Sequence, residues 1–178
     1  MSWRACAMAG WLRSATRPMV QVIQRHAVRA ILLTPDEEVL MMRVRDPGGE
    51  HSWWITPGGG REAGETLEQT LRRELDEELS LQPGAIGPLV WRRQHTVTMH
   101  ARRWCQYEDY FLIPTPPFNP VMRDADEASR VLEMRWWPLA DLFSTDQDLT
   151  PRAIATIVED YLRDGPPQGE LEIEVLVD

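Results

Sequence analysis

The chain contains no lysine; all nineteen of its basic residues are arginine. A lysine nucleophile or a Schiff base to a carbonyl substrate is therefore excluded. Cysteine is scarce too. Cys6 and Cys105 lie far apart with no CxxC or Cys/His spacing, which suggests neither a disulfide framework nor a zinc site and fits a reducing cytoplasm. Long apolar runs are missing: stretches such as residues 30–33 fall far short of the roughly 20 residues that span a bilayer, so no membrane association is expected. Basic charge is also in deficit. Nineteen Arg against 28 Asp and Glu leave a net charge of -9, whereas a duplex DNA partner would call for a basic stripe to neutralise phosphates.

What remains is an ordinary globular composition, with 178 residues, 43% of them apolar and 26% charged. A chain of that length buries roughly 70% of its unfolded surface, so one domain needs no disulfide or structural metal. The charge is unevenly spread. Residues 1–30 hold Arg4, Arg13, Arg17, Arg25 and Arg29 and no acid, so all 28 acids fall in the remainder. This start, with Trp3, Trp11 and Leu12, reads as an Arg-rich N-terminal extension over residues 1–18, ahead of a domain over 19–178. A targeting peptide and a membrane-surface arm are the alternatives; the apolar core of a secretory signal is missing.

Residues 27–33 and 39–44 are apolar or β-branched around the turn Thr34-Pro35-Asp36-Glu37, the pattern of a β-hairpin. A short strand over 53–56 ends at Pro57 and three glycines. Thr66 with Gln69 has the spacing of a capping box, and Leu67, Leu71, Leu75 and Leu79 follow on one stripe, predicting a helix over 67–79. Residues 89–98 and 104–113 read as a second hairpin, 132–137 as a strand, and 150–163 as a helix. The tail 170–177 alternates Glu with Leu, Ile and Val, the pattern of a strand with one buried face, which could also pair between two copies in a homodimer.

The chemistry concentrates on the helix after the glycines. At about 100° per residue, Glu74 and Glu78 project close together with Glu77 beside them. Glu78 also points between Leu67 and Leu71, into the stripe that should face the core, where an uncompensated carboxylate is costly. Repulsion at i,i+4 adds to that cost, and a hard divalent cation with oxygen ligands, magnesium or manganese, offsets both. A solvated face paired to Arg72 and Arg73 is the alternative reading. Gly58, Gly59 and Gly60 favour the site, because missing side chains let the backbone approach a metal or a phosphate.

Gly59, Glu65 and the run Arg73-Glu74-Leu75-Asp76-Glu77-Glu78-Leu79-Ser80-Leu81 resemble the Nudix box, G-x5-E-x7-R-E-U-x-E-E-x-G-U, with U a bulky apolar residue. One fixed position departs: Ser80 stands where glycine is usual. A left-handed helix end at serine costs about 1 kcal/mol without removing a metal ligand. A looser likeness runs over about residues 26–143. The resemblance implies an α/β fold, the Nudix α/β/α sandwich with a mixed β-sheet. It also implies a hydrolase that cleaves a phosphoanhydride bond in a nucleoside diphosphate linked to another moiety, a small-molecule nucleotide. By the same resemblance Glu74, Glu77 and Glu78 bind Mg2+ or Mn2+, the Gly58 carbonyl adds an oxygen, and Glu65 and Arg73 support them.

Divalent ions neutralise pyrophosphate charge and acidify bound water, and a carboxylate takes the proton. Glu74 is the first candidate for that base, with Glu108 and Glu127 as alternatives. Candidates for substrate contact are Gly59, Gly60, Glu108 and the pair Arg93 and His95, which shares one strand face opposite Arg92 and Gln94; either pair is placed to face substrate. His51 is a further phosphate candidate. Trp53, Trp91, Trp104 and Tyr107 are candidates for stacking on a base, while Trp54 and Trp136 are assigned to packing. Downstream marks of particular Nudix subfamilies are missing, with Thr96, Val97 and Thr98 at the corresponding distance, so the nucleotide is left open. Two rivals stand beside this reading: a catalytically silent nucleotide-binding module, which should have lost box acids, and an RNA-end pyrophosphohydrolase.

Overall fold

The computed structural model describes residues 22–46, 48–99, 102–123 and 128–177. Its elements run β1 (Val22–Leu33), β2 (Glu38–Arg45), β3 (Ser52–Ile55), α1 (Leu67–Leu79), β4 (Leu89–Met99), β5 (Arg102–Pro114), β6 (Val131–Pro138), α2 (Leu139–Ser144), β7 (Leu149–Thr150), α3 (Ile154–Asp164) and β8 (Glu174–Val177). Among the described residues the strands form one mixed sheet in the order β7-β3-β2-β1-β5-β4-β8, with β6 on β2. Alternation along β1 sets the layers, because successive side chains point to opposite faces. Val28, Ala30 and Leu32 pack with Leu71, Leu75 and Leu79 of α1, whereas Ile31 and Leu33 pack with Trp54, Trp137 and the α3 residues Ile154 and Val158. The result is the α/β/α arrangement expected, and each of the three α1 leucines, all fully buried, stabilises it by roughly 1.5–3 kcal/mol.

The first hairpin is only nominal. β1 and β2 share one registered pair, Leu33 with Val39; β1 instead runs parallel to β5 from Val22 to Leu33, and β2 pairs with β6 over most of its length. β1 also starts five residues before the apolar pattern, because backbone pairing with β5 carries it past its buried part. On the edge that β2 leaves, the glycine loop takes over. Ala30 N donates to Pro57 O (2.8 Å), Val28 N to Gly59 O (3.0 Å) and Arg61 N to His26 O (2.9 Å). The loop is thereby pinned to the middle of the sheet, beside the helix that follows it.

α1 spans the predicted residues. Thr66 Oγ1 accepts from Gln69 N and the Gln69 side chain accepts from Thr66 N, so the capping box is formed. The second hairpin is also found, its turn lying outside the described residues. The helix predicted from 150 starts at Ile154, since Leu149 and Thr150 are drawn onto Trp54 and Ile55 as a parallel strand. The short α2 carried no pattern. β8 is shorter than expected and has no buried face: all four residues are exposed. It lies parallel at the outer edge of β4, and among the described residues no layer covers either side of it.

Ser80 keeps the left-handed helix end, with φ 53° and ψ 32°, and its side chain compensates for the strain. Its Oγ donates to Val121 O (2.8 Å) and accepts from Arg123 Nε (3.0 Å), while Arg123 Nη1 reaches both Asp76 oxygens (2.8 Å). The segment after the prolines is thus latched to the last turn of α1. Ser80→Gly is expected to be near neutral, because relief of about 1 kcal/mol of backbone strain is offset by the lost hydrogen bonds. Ser80→Ala keeps the strain and loses the bonds, and should destabilise by about 1 kcal/mol. Urea midpoints of the wild type and the two variants check this; a Ser80→Ala midpoint equal to that of the wild type would mean that the latch contributes nothing.

Candidate active site

α1 and the glycine loop bring the box residues to one place. Glu74 and Glu78 are buried at 4% and 6% exposure, on the helix side turned to the loop. Glu78 Oε2 accepts from Gly58 N at 2.6 Å. Gly58 is required twice over: its φ is +126°, and a Cβ there would lie 2.3 Å from Val28 O. At Gly59 a Cβ would lie 2.5 Å from the Glu74 carboxyl atoms. Gly58 therefore lets the loop seat on the β1 backbone with its amide on Glu78, and Gly59 lets it close onto the Glu74 carboxylate.

Arg73 gathers the remaining acids. Its Nε and Nη2 donate to Glu65 (2.8 and 3.1 Å), its Nη1 to Glu74 Oε1 (2.9 Å) and Glu77 Oε2 (3.0 Å), and its Nη2 also to Gly60 O (3.0 Å). Glu65 is held further by Thr70 Oγ1 and Glu62 N. The Arg73 bonds, then the Glu62 amide, hold the Glu65 carboxyl down at about 2. Among the described residues no three acids, histidines or cysteines converge as a metal cage, because Arg73 stands between Glu74 and Glu77 and takes an oxygen from each. The donor set is nonetheless all oxygen, four carboxylates and the Gly58 and Gly60 carbonyls around one loop, which suits a hard divalent ion.

A second charged group adjoins the loop from the sheet. Glu108, 2% exposed, accepts five hydrogen bonds. Oε1 takes Arg29 Nε (3.0 Å) and Gln106 Nε2 (2.8 Å); Oε2 takes Arg93 Nε (2.7 Å), Arg93 Nη2 and Tyr110 OH (3.1 Å). Burial pushes its pKa up, but Arg29 and Arg93 overcome this and hold it at about 2. With both oxygens engaged and the proton so weakly held, Glu108 is poorly suited to be a general base. Arg29 continues to the loop, donating from Nη1 to the Gly58 carbonyl at 2.6 Å, the oxygen that the resemblance assigns to a metal ion.

The two faces of β4 are thereby distinguished. Arg93 lies with Arg29 and Glu108, and His95, registered against Gln106, follows it on that face. Arg92 pairs with Asp109 (2.9 Å) on the other. Tyr107 stacks on His26 with ring centroids 5.0 Å apart, beside a cavity of about 190 Å³ lined by His26, Arg92, Arg93, Tyr107, Glu108 and Ile173. Trp91 packs edge-on against Tyr110, Trp54 against Trp137 and Trp136 against Phe118. His51 is exposed on the loop before β3, and Glu127 lies outside the described residues, as does the Arg-rich start. Sequence reasoning missed Arg29; its signal was an arginine between Ala27 and Ile31, in the core-facing register of a strand.

The NUDIX domain family model matches residues 23–159. The chain is 36% identical over 80 residues to the nucleoside triphosphatase NudI of Enterobacter sp., covering 44% of this chain and 57% of that one. It is 30% identical over 101 residues to the RNA pyrophosphohydrolase of Pseudoalteromonas translucida, covering 57% and 48%. The chain thus spans about half the length of the curated relatives it matches. In fold it is similar to the NUDIX domain of Shewanella oneidensis NrtR complexed with ADP ribose, with a TM-score of 0.61 and 21% identity over 83% of this chain and 94% of that one. On the family match across most of its length, together with the box on its loop and helix, the chain belongs to the NUDIX domain family.

Proposed function

We propose that this chain is a divalent-metal-dependent hydrolase that cleaves the phosphoanhydride bond of a nucleoside diphosphate linked to another moiety. The observation that carries this is the burial of Glu74 and Glu78 against a loop that sits on β1 and on Glu74 only because Gly58 and Gly59, respectively, lack side chains. Carboxylates crowded in that setting suit a hard divalent cation beside the single guanidinium of Arg73 already on Glu74, and a silent module would have no reason to keep them all. Glu74, Glu77, Glu78 and the Gly58 carbonyl would hold Mg2+ or Mn2+. Such an ion supplies charge neutralisation of the pyrophosphate and a water of lowered pKa.

The chain's own residues do the rest. Glu74 takes the proton of the attacking water, Arg73 orients Glu74 and Glu77 and ties them to Glu65, and Glu108 positions Arg29 and Arg93. Gly59, Gly60 and His95 remain candidates for substrate contact. The relative named an RNA pyrophosphohydrolase favours a second reading, action on triphosphate RNA ends through the Arg-rich start, against which the acidic remainder of the chain argues. A product screen with Mg2+ and Mn2+ over nucleoside triphosphates, nucleotide sugars, dinucleoside polyphosphates, coenzyme A and 5′-triphosphate RNA is the test. Turnover of a small nucleotide is expected, and it should persist after removal of residues 1–18; activity on RNA alone, lost with that segment, would reverse the two readings.

A further inference from the structure

Arg29 stands between two charge systems. On one side is Glu108, whose Oε1 accepts from Arg29 Nε at 3.0 Å. On the other is Gly58, which donates its N–H to Glu78 (2.6 Å) and accepts at its carbonyl from Arg29 Nη1 (2.6 Å). One residue, Gly58, is therefore gripped through its N–H by a box carboxylate and through its carbonyl by a guanidinium. The side chain is 15% exposed, so water screens this charge only partly. Arg29 and Arg93 together outnumber Glu108 by one positive charge, and Arg29 is the member of that group bonded to the glycine loop.

We propose that Arg29 is a built-in cation of the metal site: it occupies the Gly58 carbonyl, competes there with a divalent ion, and so sets how tightly the site takes metal. The proposal rests on the reading that Glu74, Glu77, Glu78 and the Gly58 carbonyl hold that ion. A carbonyl oxygen has two lone pairs, but a guanidinium and a dication bound to one oxygen repel each other strongly in a partly dry setting. Metal loading must therefore weaken the Arg29–Gly58 bond. Arg29 is a positioning residue in the empty site and a determinant of affinity in the loaded one.

The test is Mn2+ titration of the full-length protein at low ionic strength, with free Mn2+ read by electron paramagnetic resonance and folding checked by near-ultraviolet circular dichroism. Arg29→Met is expected to tighten the apparent Kd by about tenfold or more, since a unit charge close to a dication is removed. Arg29→Lys should tighten it by a smaller factor, because one compact ammonium lacks the fork that spans Glu108 and Gly58 together. The metal-free melting temperature should fall in both. A residue that merely props the loop would give the same fall with Mn2+ binding unchanged or weaker in both variants, and that result overturns the proposal. Should the Met variant fail to fold, the Lys titration decides alone. A wild-type protein that binds no Mn2+ brings down the metal reading and this proposal with it, whereas wild-type binding with no gain in either variant removes only the role of Arg29.

Discussion

Glu78→Gln is expected to lower turnover by at least about 100-fold while leaving the fold intact, given that loss of mere supporting groups around a metal already costs 10–100-fold. The amide oxygen of glutamine can still accept from Gly58 N, which lies 2.6 Å from the Glu78 carboxylate, so the loop keeps its anchor and only the anionic ligand goes. Thermal shift gives a second measure. Wild-type protein at an Mg2+ concentration of 100 times Kd should gain roughly 2.7 kcal/mol, or about 5–10 °C for a chain of this size. The variant should gain less, because a ligand is lost, and should melt no lower without metal, because repulsion with the buried Glu74 is relieved. A variant retaining more than about a tenth of the wild-type rate, or the full Mg2+ shift, would remove Glu78 from the metal set.

Glu108→Ala is expected to be the most destabilising single change in the site region. It leaves the guanidinium of Arg93, which is 6% exposed, and that of Arg29, which is 15% exposed, without their shared anion. Removing one partner of a buried ion pair costs about 3–5 kcal/mol, which corresponds to a melting temperature roughly 10 °C lower. Glu108→Gln keeps two of the acceptor directions and should cost less. The acid limb separates charge from packing. The folded-state pKa of Glu108 lies at about 2, below its ordinary value of 4.5. The stability it contributes is therefore fully present above about 4.5 and is lost as the pH falls from there through about 2. Glu65 follows the same direction, so Glu108→Gln should flatten this limb in part. Urea unfolding at pH 3 and pH 6 measures it; a limb as steep as in the wild type would mean that Glu108 is not held ionised.

Much of the box could be read in the sequence because its determinants are local. Thr66 and Gln69 are three residues apart and cap the helix, the leucine stripe repeats at the helical period, and Arg73 reaches Glu65, Glu74 and Glu77 within eight residues. Burial of Glu78 followed from its angle on the same stripe. The departure at Ser80 was visible, but its compensation was not, since Arg123 and Val121 come from more than forty residues away.

The sheet side of the site could not be read in the same way. Alternation sorted Arg93, His95, Glu108, Gln106 and Tyr110 onto faces, yet a strand has two faces and nothing local says which meets the glycine loop. That choice follows from the parallel register of β1 on β5 and from the early departure of β2, which opens the edge of β1 to residues 57–61. The same reason explains the tail, whose alternation predicted a buried face that no layer of the described structure covers. By itself the sequence determined the loop, the helix and the acids that share one side of it, because those depend on backbone period and neighbours a few residues apart. Only the tertiary structure decided that Glu108 lies between Arg29, 79 residues distant, and Arg93, and that Arg29 reaches the Gly58 carbonyl, because strand pairing and register are settled by the packing of the whole sheet.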